Sequence, residues 1–147
     1  MTADAEAGLG GLAAGLRARG RLPAPDPARI TSVLVVDDRA SYRESLVRLL
    51  EAGGEYRVRA ADGGAGALAE IDRACPDLVL LDLVMPDMTG HEVIDRIVAA
   101  GHDTAIVVVS GEPTFEHVQR ALTHGAVDFI RKPYEPAELL STLARVR

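Results

Sequence analysis

The chain has 147 residues, 48% of them hydrophobic, so it can bury one sizeable core but is short for two ordinary domains. Its formal net charge of -6 disfavours nucleic-acid phosphates as a partner, and its aromatic content of 3% leaves little surface for base stacking. These totals exclude direct nucleic-acid binding as the leading interpretation.

Residues 1–30 are rich in Ala, Gly and Pro, which favours a flexible linker. The spacing of Leu9, Leu12 and Leu16 also allows a short docking helix, although the nearby glycines favour disorder. Acidic residues lie where a secretory signal would be basic, and no apolar run reaches membrane-spanning length. We therefore predict a tail over 1–30, one domain over 31–147, and a soluble protein.

The single cysteine, Cys75, cannot form an internal disulfide and follows Leu68 and Ile71 at a helical spacing. We expect it to be a packed core thiol. A cytoplasmic, reducing location fits this cysteine usage, and no membrane partner is predicted.

Five short apolar runs alternate with longer segments of helical periodicity, a pattern typical of repeated βα units. Three of the runs are continuously apolar, as expected for parallel strands covered by helices on both faces. Arg57 and Arg59 make the second run an edge strand. The predicted strands are Val33 to Val36, Val58 to Ala61, Leu78 to Leu81, Ala105 to Val109, and Val127 to Ile130. The fold class is therefore α/β, a doubly wound five-stranded parallel sheet with strand order 2-1-3-4-5.

Apolar stripes predict five helices, each burying one face on the sheet. The stripes are Tyr42, Leu46, Leu49 and Leu50; Leu68, Ile71 and Cys75; Val93, Ile94, Ile97 and Val98; Phe115, Val118 and Leu122; and Leu139, Leu140, Leu143 and Val146. Ser41 to Glu44 and Thr89 to Glu92 are typical of capping boxes, and Pro136 suits a first helical turn.

Polar side chains follow four of the strands. The first strand ends in Asp37 and Asp38, the third in Asp82, the fourth in Ser110, and the fifth in Lys132. Carboxyl ends of parallel strands meet at one edge of a sheet, so the predicted strand order brings three carboxylates together. Each aspartate alone could simply cap a helix or face solvent. Together with Lys132 and Ser110 they favour a functional site that holds a hard divalent ion, Mg²⁺ first among them.

Carboxylates, a metal ion, a lysine and a hydroxyl suit phosphoryl transfer, which needs positioning and neutralisation of negative charge. A carboxylate can act as the nucleophile. Asp82 is the best candidate because it stands alone after a buried strand, whereas the adjacent pair Asp37 and Asp38 suits metal binding.

The segment Leu81 to Gly90, with the acidic pair and Lys132-Pro133, resembles the response-regulator receiver family of two-component signalling over about residues 32 to 147. The resemblance implies a flavodoxin-like (βα)5 fold and a phosphoacceptor at Asp82. It further implies Mg²⁺, or Mn²⁺ as a substitute, and a cis Lys132-Pro133 peptide bond. The implied metal ligands are Asp37, Asp38, Asp82 and the backbone carbonyl of Val84, with Ser110 and Lys132 on the phosphoryl group.

The same resemblance implies a switch formed by Ser110 and Phe129, although Phe129 could equally be an ordinary core residue. The implied donor is a sensor histidine kinase or phosphotransfer protein. The implied output surface is the fourth helix, fifth strand and fifth helix, and it could act on an effector or form a phosphorylation-dependent homodimer. Ser110, Phe129, Val84 and Glu112 depart from the commonest family residues, which affects the expected kinetics and not the class. With little sequence after Val146, the expectation is a stand-alone receiver or one module of a longer protein.

Rival interpretations are weaker. Gly64 to Ala69 fits a dinucleotide-binding fingerprint, but it follows the polar edge strand. The histidines His91, His102, His117 and His124 lack metal-ligand spacing and are expected in solvent. A phosphatase with an aspartate nucleophile would need an acid at Val84, and a phosphorylation-independent docking module typically lacks a site residue. We thus expect a phosphoacceptor that assists its own phosphorylation and dephosphorylation, and not an enzyme with a separate substrate.

Overall fold

The structure is a computed structural model that describes residues 31–111 and 114–146. The predicted tail over residues 1–30, its candidate docking helix and Glu112 lie outside the described residues. None of the helices in the described part of the chain is long and apolar enough to cross a membrane.

Five parallel strands form a single sheet in the order β2-β1-β3-β4-β5, as predicted. The strands are β1 (Thr31–Val36), β2 (Tyr56–Ala61), β3 (Leu78–Leu81), β4 (Ala105–Ser110) and β5 (Asp128–Arg131). Arg57 and Arg59 do lie on an edge strand, β2, where a polar side chain can reach solvent. The order reverses between β1 and β3, and this is where a doubly wound sheet binds ligands.

Five helices cover the two faces of the sheet: α1 (Ala40–Ala52), α2 (Gly64–Arg73), α3 (Gly90–Ala99), α4 (Phe115–His124) and α5 (Pro136–Val146). Alternation along β1 supplies both apolar layers, because Val33 and Val35 face one side and Leu34 and Val36 the other. The first layer packs against α1 and α5, and the second against α2, α3 and α4. The sheet is thus covered by helices on both faces, and the carboxyl ends of its strands remain accessible.

The predicted helix starts divide into confirmed and wrong ones. Thr89 caps α3 by accepting a hydrogen bond from the Glu92 amide at 3.2 Å, which is the hydroxyl half of the predicted box, while the Glu92 carboxylate pairs with Arg96. Pro136 is the first residue of α5, as predicted. The capping box at Ser41 to Glu44 is wrong because α1 already begins at Ala40, with Arg39 before it and no side-chain cap. Ser41 therefore lies inside the helix.

The prediction that Cys75 is a core thiol is wrong, because α2 ends at Arg73 and Cys75 is exposed. The Arg59 guanidinium donates to the backbone carbonyls of Glu70 and Ala74 and so binds the last turn of α2, ahead of Cys75. The prediction that the apolar stripes are buried on the sheet is also wrong for Val98 and Phe115, which are 53% and 79% exposed.

The prediction that the histidines are solvated is wrong for His91, which is 4% exposed. Its Nε2 lies 3.0 Å from Nδ1 of His117, and the two rings stack with centroids 5.3 Å apart. His91 is in the first turn of α3 and His117 in the first turn of α4, so the pair joins the starts of the two helices. His102 and His124 instead pair with the carboxylates of Asp72 and Asp95 near the surface.

Burial lowers the pKa of His91 below its usual 6.5, and the positive charge of Arg120 lowers it further. The fold thus favours neutral His91, and the free energy of unfolding should fall as pH decreases from about 7 to 5. We predict that His91→Gln has a weaker decline than the wild type in urea denaturation at the two pH values. Val118→Ala, which shortens a half-buried side chain on α4 without removing a titratable group, should keep the wild-type slope. Parallel curves for His91→Gln and the wild type would contradict the prediction.

Candidate functional site

The fold brings the predicted carboxylates together at the point where strand order reverses. Asp37 follows β1 and Asp82 follows β3, and the Asp82 amide donates to the carbonyl of Val36 at 3.0 Å. Carboxylate oxygens of Asp37, Asp38 and Asp82 all lie within 4.8 Å of one another. Asp37 and Asp82 are buried, whereas Asp38 is half-buried. This cluster has the chemistry and spacing to hold a metal ion.

Lys132 reaches into the carboxylate cluster from the end of β5. Its Nζ lies 2.5 Å from Oδ2 of Asp37 and 3.5 Å from Oδ2 of Asp82. The ammonium also lies 4.2 Å from the centroid of the Tyr42 ring, a distance typical of a cation–π contact. The peptide bond from Lys132 to Pro133 is cis. The lysine is 7% exposed, so its charge acts on both carboxylates with little screening by water.

The second oxygen of each buried aspartate accepts a hydrogen bond from the backbone two residues later. Oδ1 of Asp37 accepts from the Arg39 amide at 2.9 Å, and Oδ1 of Asp82 accepts from the Val84 amide at 3.2 Å. Both carboxylates are therefore oriented by their own loops, with Oδ2 directed to Lys132. The Arg43 side chain adds a bond to the carbonyl of Asp37 at 2.8 Å.

The net charge of the carboxylate cluster favours the binding of a second cation. Burial raises the pKa of the Asp82 carboxyl, the Lys132 ammonium and the Val84 amide oppose the rise, and the charge of Asp37 adds to it. The cluster holds three carboxylates, and Lys132 pairs with two of them, so the cluster is short of positive charge. A divalent ion with oxygen ligands would correct the imbalance, so the residues present fit such an ion.

The hydroxyl of Ser110 lies at the end of β4, between β3 and β5. Ser110 is 1% exposed, and its Oγ has no hydrogen-bond partner among the described residues. Ser110, Asp82 and Lys132 line one cavity of about 360 Å³. A buried hydroxyl without a partner costs about 1–3 kcal/mol, so this cavity suits a ligand that carries oxygen atoms.

Two of the predicted residues lie at the margin of this arrangement. The Val84 side chain is 65% exposed at the rim of the cavity. Phe129 is half-buried and packs against the apolar layer under α2, α3 and α4. In the strand register Phe129 pairs with Val108 and not with Ser110, so its proposed link to the site remains a prediction.

Sequence reasoning missed the part played by α1. The apolar stripe predicts Tyr42 only as a core residue, yet its ring lies beside the lysine, and Arg39, just before α1, lines the cavity. Arg39, Tyr42 and Arg43 lie within five residues of Asp38, and that closeness in sequence is the signal that could have identified them.

Fold and site together define a doubly wound α/β domain with an acidic, lysine-bridged pocket suited to phosphoryl groups. A family model described as the response regulator receiver domain matches residues 33–144. The chain belongs to this family, whose members are signalling domains of two-component systems that undergo phosphorylation.

Similar proteins agree with this assignment. The chain is 43% identical over 127 residues to protein-glutamate methylesterase/protein-glutamine glutaminase 6 of Anaeromyxobacter dehalogenans, covering 81% of this chain and 36% of that protein. It is 38% identical over 117 residues to sensory transduction protein RegX3 of Mycobacterium tuberculosis, covering 80% of this chain and 51% of that protein. Both alignments span only about a third to a half of the longer relative.

Among solved structures, the chemotaxis protein CheY4 of Vibrio cholerae matches with a TM-score of 0.76 and 34% identity. The match covers 81% of this chain and 100% of CheY4. The similarity therefore extends over the whole of a known receiver fold.

Removing Lys132 should strongly destabilise the domain, because two buried carboxylates would lose their cation. We predict that Lys132→Met lowers the free energy of unfolding at pH 7 by about 3–5 kcal/mol in urea denaturation with EDTA present. Arg96→Met removes the exposed pair with Glu92 and should cost less than about 1 kcal/mol. Equal losses for the two variants would contradict the electrostatic account of the pocket.

Proposed function

We propose that Asp82 accepts a phosphoryl group from a phosphohistidine in a Mg²⁺-dependent reaction, and that the domain then changes conformation to regulate a partner or output module. The observation that carries this proposal is the position of Lys132. Its ammonium lies between Asp37 and Asp82, in a cavity that also holds the Ser110 hydroxyl, for which no described residue is a hydrogen-bond partner. Phosphoryl transfer needs charge neutralisation at such a position.

In the proposed reaction a carboxylate oxygen of Asp82 attacks phosphorus. An O–P bond forms, the N–P bond of the phosphohistidine breaks, and the leaving imidazole nitrogen keeps the electron pair and takes up a proton. The Val84 amide orients the attacking carboxylate through Oδ1. Lys132 and Ser110 would bind the phosphoryl oxygens, and this would supply the hydroxyl with the partner it lacks among the described residues.

Asp37, Asp38, Asp82 and the backbone carbonyl of Val84 would hold the metal ion. When bound, Mg²⁺ supplies positive charge that offsets both the carboxylates and the transferred group. Mn²⁺, which also prefers oxygen ligands, should substitute for it. The three carboxylates within 4.8 Å of one another support this assignment.

Two other functions have less support. A phosphatase with an aspartate nucleophile would need an acid two residues after it, where Val84 presents an apolar side chain. A docking module that works without phosphorylation would not need the charged cluster, which is costly to bury. The proposed role is therefore that of a phosphoacceptor that assists its own phosphorylation and dephosphorylation, with no separate substrate.

The proposed partners are a sensor histidine kinase or phosphotransfer protein as donor, and an effector or a second copy of the chain at the output surface. We assign the output to the surface of α4, β5 and α5, with Ser110 and Phe129 as the switch. Phe115, 79% exposed at the first position of α4, supports this choice because a large exposed ring is typical of a contact surface.

Acetyl phosphate with Mg²⁺ tests the phosphoacceptor directly. We predict that the wild type gains one phosphoryl group by intact-mass spectrometry, that Asp82→Asn gains none, and that EDTA prevents the reaction. Asp95→Asn changes an exposed aspartate paired with His124 and should react like the wild type. Equal labelling of Asp82→Asn and the wild type would overturn the assignment of Asp82.

Amide hydrogen exchange tests the output surface. With beryllofluoride and Mg²⁺, which mimic the phosphorylated state, we predict altered exchange between Thr114 and Val146, because Lys132 and Ser110 acquire a new ligand at the ends of β5 and β4. Asp82→Asn treated in the same way is the control and should not change. Unchanged exchange over that range in the wild type would exclude this output surface.

A further inference from the structure

The loop between Asp82 and α3, residues 83–89, carries part of the candidate site. It is attached to the rest of the fold at two points, one at its ends and one in its middle. The two ends are joined by a hydrogen bond from the Gly90 amide to the carbonyl of Leu83 at 2.9 Å. A Cβ on Gly90 would lie 2.5 Å from the carbonyl oxygen of Asp82, so the start of α3 touches the backbone that follows the predicted phosphoacceptor. Val84, between these contacts, provides one amide to Asp82 and the carbonyl proposed as a metal ligand.

The middle of the loop is attached to α2 through Asp87. Its Oδ1 accepts from the Gly64 amide at 3.0 Å, and its Oδ2 accepts from the Ala65 amide at 2.9 Å. These are the first two amides of α2, and the preceding residue, Gly63, has no side chain to cap them. The two amides lower the pKa of the Asp87 carboxyl, Ala65 contributing more than Gly64, so the carboxylate remains ionised and bonded.

This contact involves Gly64, the first glycine of the pattern that resembled a dinucleotide fingerprint, and Gly63 before it. A Cβ on Gly63 would lie 2.8 Å from Oδ1 of Asp87, and one on Gly64 would lie 2.1 Å from Cγ of Met88. A side chain at either position would therefore displace Asp87 or Met88 from where the loop now meets α2. The start of α2 therefore binds an anion, as the fingerprint suggested, but the anion is a carboxylate of the chain itself.

We propose that Asp87 is a positioning residue for metal binding and phosphoryl transfer: by attaching the loop to α2, it holds the backbone of Val84 where it serves both Asp82 and the metal ion. Asp87 touches neither the reacting carboxylate nor the proposed ion, and it acts through Val84. The inference rests on the proposed function of the site. It means that α2 helps to determine the geometry of the pocket, although no side chain of α2 lines it.

The test compares Asp87→Asn with the wild type in the full chain. Asparagine keeps the size of the side chain, but it removes the charge and turns one acceptor into a donor facing an amide. We expect Asp87→Asn to bind Mg²⁺ about tenfold more weakly than the wild type, as measured by isothermal titration calorimetry. Loss of a group that orients a metal ligand typically weakens metal binding by about 10- to 100-fold, and this prediction takes the lower value. Amide exchange of Leu83 to Met88 should accelerate without added metal, and the phosphorylation rate with acetyl phosphate should recover largely at saturating Mg²⁺.

The matched control is Glu70→Gln, which removes the ion pairs of α2 with Arg59 and Arg73 without touching the loop. Glu70→Gln should leave the Mg²⁺ affinity unchanged. Asp87→Glu, which keeps the charge, should retain part of the Mg²⁺ affinity that Asp87→Asn loses. Unchanged affinity in Asp87→Asn, or an equal loss in Glu70→Gln, would reduce Asp87 to a helix cap and overturn the inference. Labelling of wild-type Asp82 separates the two proposals: the inference can fail while labelling persists, whereas a wild type that binds no Mg²⁺ overturns both.

Discussion

The interaction on which the rest of the site depends is the bridge from Lys132 to Asp37 and Asp82. It joins residues that follow β5, β1 and β3, and its two N–O distances are 2.5 and 3.5 Å. Moving such charges out of water costs several kcal/mol per ion, and apolar residues of similar volume often serve stability as well or better. A buried bridge of this kind is therefore better explained by what it does to a ligand than by what it adds to the fold.

The sheet order makes this bridge geometrically possible. Because β1 and β3 are neighbours, their carboxylates meet directly, whereas β4 separates β3 from β5. A long side chain is needed to cross that gap, and lysine has four methylene groups that can lie along apolar or aromatic surface while the ammonium reaches the carboxylates. Tyr42 provides such a surface at 4.2 Å, so α1 guides the lysine into the cluster.

Most of the fold and the composition of the site were predictable from the sequence, because both depend on strong local patterns and one general rule. Continuous apolar runs identified the buried strands, and the rule that ligands bind at the carboxyl ends selected Asp37, Asp82, Ser110 and Lys132. Features that depend on contacts between distant residues were not predictable. His91 is buried because His117 on another helix covers it, and the Arg59 guanidinium from β2 binds the last turn of α2, beyond which Cys75 is exposed.

The site residues that follow β1 and β3 are held differently from those at the ends of β4 and β5. This difference indicates which side of the site can change conformation. Asp37 and Asp82 are each oriented by the amide two residues later, through Arg39 and Val84, so their positions are set by backbone. Lys132 is held through its side chain by the two carboxylates, whereas the Ser110 hydroxyl has no partner among the described residues to hold it. In the proposed function, a phosphoryl group on Asp82 would therefore be met by movement on the β4 and β5 side, where Ser110 lies, and not on the β1 and β3 side. Because β5 lies at the edge of the sheet, next to α5, that movement can reach the surface without disturbing the buried strands.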